Sequence, residues 1–194
     1  MANEDTPMGF IVSSTIRSNI KRFYIDGAEA VATFHGDLVK YVGDSSTSVD
    51  RPTVDVLTAA NVAAGAPDYC GPIVGVMDTD QNAVNFLAAS TAGYVDVETD
   101  PYAELLVQVE DGGTALTNAA FQDQADPIFT HAGSTLTGRS GAELNDSVVG
   151  DGSNAMFILL RRAGTAANDM GANVKLIVRA AEHAFLEADA IDAV

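Results

Sequence analysis

The side chains able to do chemistry are few and scattered. Three histidines, His35, His131 and His183, stand far apart, without the ligand spacing that a zinc site needs. They read as surface or strand-end residues. Cys70 is the single cysteine. In Tyr69-Cys70-Gly71-Pro72 no adjacent base is indicated to activate it, so it reads as a small buried hydrophobe. Asp78-Thr79-Asp80-Gln81-Asn82 places oxygens like the start of a calcium loop, but Ala83 and Ala89 stand where that loop requires glycine and glutamate. Gly150-Asp151-Gly152-Ser153-Asn154-Ala155 imitates a nucleotide fingerprint, yet an apolar, strand-like run follows it where a helix N-terminus is required. In Gly138-Arg139-Ser140-Gly141 the second glycine comes one residue too early for a nucleophile elbow. Asn145-Asp146-Ser147 is a formal sequon only. Any two of the 27 carboxylates could meet in the fold, and nothing singles out a pair. The expectation is a protein that is not an enzyme, with no catalytic residue, cofactor or metal.

The elements that would position these residues are short and β-prone. Apolar runs recur at 31–34, 38–42, 54–57, 73–77, 94–97, 105–109, 156–160 and 174–178, mixing alternation with continuous burial. Turn residues separate them, among them His35-Gly36-Asp37, Asp111-Gly112-Gly113 and Gly150-Asp151-Gly152. This punctuation predicts a mainly β chain, with a single barrel or sandwich-like domain over residues 25–194 and one or two short helices, at 114–124 and 180–191. Residues 1–24 show no helical periodicity and read as an extended N-terminal arm. Residues 43–53 and 133–154, rich in Gly, Ser, Thr and Asp, read as surface excursions.

Composition narrows the partners. The 194 residues carry 27 Asp and Glu against 10 Lys and Arg, a formal charge of −17. Such a surface repels nucleic acid and anionic membranes, so neither is expected as a partner. No apolar run approaches the roughly 20 residues of a spanning helix. The start, Met1-Ala2-Asn3-Glu4-Asp5, lacks the basic and apolar regions of a secretion signal, and the lone cysteine suits a reducing compartment. Arg17, Lys21 and Arg22 make the first 24 residues slightly positive, against Glu4 and Asp5.

Several segments taken in order resemble a family of tailed-bacteriophage virion proteins, the small decoration or cement proteins of the phage head. The opening Met1-Ala2-Asn3-x-Asp5-x-Pro7-x-Gly9-Phe10 is similar to that family's start. Gly36-Asp37-Leu38-Val39-Lys40, Ile73-Val74-Gly75-Val76, and Asp100-Pro101 followed by Leu106-Val107-Gln108-Val109 continue the series. Thr137-Gly138-Arg139-Ser140-Gly141-x-Glu143-Leu144 and Gly171-Ala172-Asn173-Val174 with Glu182-His183 complete it. The motifs are short and structural, and their order carries the likeness.

The resemblance implies a barrel-like domain, usually a homotrimer, on the outer surface of the capsid at junctions between major capsid protein subunits. The virion is then the location, reached after synthesis in the host cytoplasm, and the major capsid protein and further copies of the chain are the partners. Capsid-contact candidates are Phe10, Arg17, Lys21 and Arg22. Phe23, Tyr24 and Tyr102 are trimer-interface candidates. The alternative is a low-copy head fibre, neck or tail component whose 133–154 loop binds the host. A phage-encoded barrel enzyme built on scattered carboxylates is the third reading.

Overall fold

The computed structural model describes residues 3–15, 18–42, 51–63, 68–113, 115–149, 155–164 and 168–185. The chain is mainly β, as the run spacing predicts, and is built from one closed barrel and one open sheet. The barrel joins β2 (Ile20–Ile25), β5 (Thr53–Val56), β4 (Leu38–Val42), β6 (Tyr69–Met77) and β8 (Gly93–Glu98). Its pairs are antiparallel except β2 with β5, which run parallel at Tyr24 and Thr53. The open sheet runs in the order β1 (Ile11–Ser14), β9 (Glu104–Gln108), β14 (Lys175–Ala180), β13 (Phe157–Arg162) and β10 (Gln124–Ala125). Two two-stranded pieces flank them: β3 (Thr33–Phe34) with β7 (Phe86–Leu87), and β11 (Pro127–Ile128) with β12 (Glu143–Leu144).

Two hydrophobic cores follow from the period of two along the strands. Phe23, Ile25, Val39, Val54, Cys70, Ile73, Val76, Val95 and Val97 fill the barrel. Phe10, Tyr69, Leu105, Leu144, Phe157, Leu159, Leu176 and Val178 build the second core beneath the sheet. Phe10 stacks on Phe157 with centroids 4.8 Å apart, and Tyr69 meets the same ring edge-on at 5.5 Å. Neighbouring residues divide between the cores: Leu38 and Tyr69 face the second, Val39 and Cys70 the first. β4 and β6 are therefore buried on both faces near these residues, which accounts for their continuous apolar runs.

The N-terminal expectation needs correction. Within 1–24 two strands belong to the body: β1 pairs with β9, and β2 is a barrel strand between β5 and β8. The helical expectations shrink. Residues 114–124 hold a single 3-10 turn, Asn118–Ala120, capped by the Thr117 side chain. Of 180–191, Ala180 ends β14 and 186–191 lie outside the described residues. A one-turn helix, α1 (Ala59–Ala63), forms where none was expected. The 43–53 excursion lies largely outside the described residues, as do 150–154.

Candidate functional site

The motifs scattered along the chain converge on one polar seam where the N-terminal segment crosses the body. Gly9 and Gly36 meet there, at φ +72° and +85°. A Cβ on Gly9 would lie 2.6 Å from the Ser140 Cβ and 2.8 Å from the Gly36 carbonyl oxygen, so only glycine fits without displacement. The Phe10 N–H donates to the Gly36 carbonyl at 2.9 Å, the Gly36 N–H to Ile73 at 2.9 Å, and the Ile73 N–H back to Asp37 at 2.8 Å. The 138–140 segment joins through His35, whose N–H donates to Gly138 at 2.9 Å and whose carbonyl accepts from Ser140 at 2.8 Å.

Asp37 sits inside this crossing, 7% exposed. Its carboxylate accepts the Phe34 N–H at 2.7 Å and the Ser140 hydroxyl. Burial pushes its pKa up to about 6, and these two hydrogen bonds hold back a larger rise. Ser140 in turn accepts the Ala142 N–H at 3.0 Å, which orders the strand leading into β12.

Gln108 is the second node, fully buried at the end of β9. Its amide nitrogen faces Asp5 Oδ1 and Glu143 Oε1 at 2.9 Å each and Asn173 Oδ1 at 3.5 Å. Its oxygen accepts the Thr6 N–H at 3.0 Å, which fixes the amide's orientation. Lys175 Nζ donates to the Thr6 hydroxyl at 2.9 Å. Glu143 uses its other oxygen on His131 Nδ1 at 2.8 Å. Asn3 ties down the outer end of the segment: its Oδ1 accepts the Asp169 N–H at 3.0 Å, and its Nδ2 donates to the Asp169 and Ala172 carbonyls at 2.8 Å each. Nearby, burial first and then the charges of Asp146 and Glu143 raise the pKa of Glu110.

A cleft of about 590 Å³ opens beside the seam, lined by Phe34, Val56, Leu57 and Phe129 together with Asp37, His131 and Ser140. A serine, a histidine and a carboxylate share this cleft without forming a relay. Ser140 is 2% exposed and its hydroxyl is given to Asp37, while His131 is bound to Glu143. Among the described residues no hydrogen bond joins Ser140 to His131, so the imidazole is not placed on the hydroxyl. Cys70 is buried in the barrel, its thiol pushed up to about 12 by burial, and it donates to the Asp68 carbonyl at 3.4 Å. Among the described residues no three His, Cys, Asp or Glu gather as metal ligands.

The sequence-derived contact residues are dispersed by the fold. Phe10 and Phe23 are 1% and 2% exposed, one in each core, so neither is open to a partner. Arg22 is held by Asp96 through two bonds of 2.8 and 3.0 Å, with Gln81 at 3.0 Å. Lys21 lies 4.6 Å above the Phe185 ring. Tyr24 is half-buried against Tyr94, and Tyr102 is exposed on the turn before β9. Arg17 lies outside the described residues. Lys21 and Arg22, adjacent on β2, thus engage different partners.

The seam itself escaped the spacing argument, because Asp5, Gln108, Glu143 and Asn173 are far apart in sequence. The one signal available was the ordered series of short motifs that contains them. Compared with known proteins, the chain matches no family model and no curated protein sequence.

Proposed function

We propose that the chain is a structural virion protein, a decoration or cement protein bound to the outside of a phage head at junctions between major capsid subunits, working as a homotrimer. One observation carries the reading. The segments that resemble the decoration family, from Asn3 to Phe10, Gly36-Asp37, Ile73, Gln108, 138–143 and Asn173, are joined to one another by hydrogen bonds and close packing in the seam. Short motifs that meet in space behave as the framework of one fold, which is what a shared structural role requires. A rigid β body suits a role in which many copies each add a modest interface energy to a pressurised shell.

A second reading, a low-copy fibre, neck or tail component, draws on Leu136. This leucine is 87% exposed at the tip of a turn clamped by the Ser134 N–H to Arg139 carbonyl bond of 2.8 Å and the Gly138 N–H to Ser134 carbonyl bond of 2.7 Å. A rigidly presented apolar tip suits recognition of a host surface.

Copy number separates the two. Quantitative mass spectrometry of purified particles should give this chain in a fixed lattice fraction of the major capsid protein. A few to a few tens of copies would favour the fibre, neck or tail. Absence from the particle would overturn both.

A further inference from the structure

The barrel closes on itself, whereas the open sheet ends in β10 on one side and β1 on the other. At β10 the ladder continues, because Gln124 and Val149 exchange backbone hydrogen bonds of 2.9 and 2.8 Å. At β1 it stops: residues 11–14 pair with β9, and among the described residues no other backbone hydrogen bond engages them. A strand in this state presents a row of donors and acceptors ready for another strand.

A cleft of about 370 Å³ lies against this strand, lined by Met8, Ile11 and Val12 together with Val74, Thr137 and Arg139. The backbone edge offers main-chain pairing, the apolar lining receives alternate side chains, and a guanidinium stands on the wall. Arg22, Arg161 and Arg162 are all ion-paired, but Arg139 has no carboxylate partner among the described residues. The net charge of −17 opposes an acidic visitor at long range, so selection is local: Arg139 is exposed and offers its guanidinium to a carboxylate at the strand edge.

We infer that the free edge of β1 and its cleft form a docking site for an extended acidic segment of a partner protein, which adds as a further strand and sets a carboxylate against Arg139. The N-terminal region then accepts a strand from its partner. The site stands on the geometry alone and holds whether or not the partner belongs to a phage head.

The test uses the full chain and three labelled octapeptides: alternating Glu and Val, alternating Lys and Val, and the Glu–Val peptide N-methylated at every other amide. By fluorescence anisotropy the Glu–Val peptide should bind and the other two should bind at least about tenfold more weakly, since strand addition needs both main-chain donors and the right charge. Amide exchange at residues 11–14 should slow on binding. Arg139→Glu should weaken the Glu–Val peptide about fivefold, and Arg139→Gln, closer in length, should weaken it less. Failure of the Glu–Val peptide to bind would overturn the inference, as would equal binding of the N-methylated peptide. Slowing of the same amides by raised protein concentration alone would also overturn it, because the occupant would then be a second copy.

Discussion

The barrel and the open sheet solve the same problem, a small mainly β core, in different ways. The barrel is filled largely by β-branched and small side chains, with Phe23 as its one aromatic among the described residues, and closure removes its edges. The sheet is built around Phe10, Tyr69 and Phe157, and it takes its first strand from the far end of the chain. Closure makes the barrel self-sufficient, whereas the sheet depends on the seam that holds Asn3 to Phe10 across it. The two are nonetheless one unit, because β4 and β6 send alternate residues into both cores.

The largest test of that union is Phe157→Ala. Loss of a fully buried aromatic that touches both Phe10 and Tyr69 should cost about 3–5 kcal/mol. Urea unfolding followed by two probes, one in each sheet, should still show a single shared transition. Separate transitions would break the argument that shared strands couple the cores.

A pH experiment sharpens the comparison, since His183 and Asp37 are buried titratable groups of opposite sign. His183 packs edge-on against Tyr69 at 5.2 Å, its Nδ1 accepts the Phe185 N–H at 3.1 Å, and its Nε2 is the one buried side-chain polar atom without a partner among the described residues. Burial lowers its pKa to about 4, with Lys21 adding to the fall and the Cys70 backbone and Asp100 opposing it. The unfolded chain therefore takes up this proton first, and stability is lost as pH falls from about 6.5 to about 4. Asp37 works the other way: with its folded pKa raised from 3.8 to about 6, the native state holds the proton first, and stability is gained as pH falls across that window. Relative to the parent, His183→Phe should gain about 2–3 kcal/mol between pH 7 and pH 4, and Asp37→Asn should lose a similar amount. Parallel curves for parent and variants would show that burial does not govern these groups.

Gly9→Ala comes next. It forces a side chain into positive φ and against Ser140, and should cost about 1–3 kcal/mol. Its effect should fall mainly on the sheet, read as faster amide exchange in β1 and β9 than in β2 and β8. Uniform acceleration in all four strands would argue that the seam supports both regions equally. The smallest effect belongs to Arg161→Ala, which removes an exposed two-bond pair with Glu104 at 2.6 and 2.9 Å and should change stability by no more than about 1 kcal/mol. A larger loss would mean that the outer face of the sheet contributes more than its exposure allows.

The strands β4, β6, β9, β13 and β14 were legible because short runs mixing alternation with continuous apolar residues are bounded by turn residues. β1 and β2 were not. In Ile20-Lys21-Arg22-Phe23-Tyr24-Ile25 only Phe23 and Ile25 face the barrel core, and the adjacent Lys21 and Arg22 turned a half-buried strand into an apparent basic arm. The turn glycines announced breaks, and Gly36 does shape the turn before β4. That Gly36 would receive Gly9 was hidden, since nothing local distinguishes a turn glycine from one packed against a distant backbone. The buried amide of Gln108 was equally silent, because glutamine in an apolar run looks like an outward-facing position until its three acceptors are placed.

The layout of strands along the chain also bears on synthesis. All five barrel strands lie between Ile20 and Glu98, while the sheet must wait for Lys175–Ala180 to emerge before β9 gains its second neighbour. On a ribosome the barrel can therefore close while the second half is still being made. Phe10 can meet Gly36 early, but Asn3 is tied down only when Asp169 and Ala172 reach it. Asn3 is in effect the clasp of the molecule, closed only after all five barrel strands have been made.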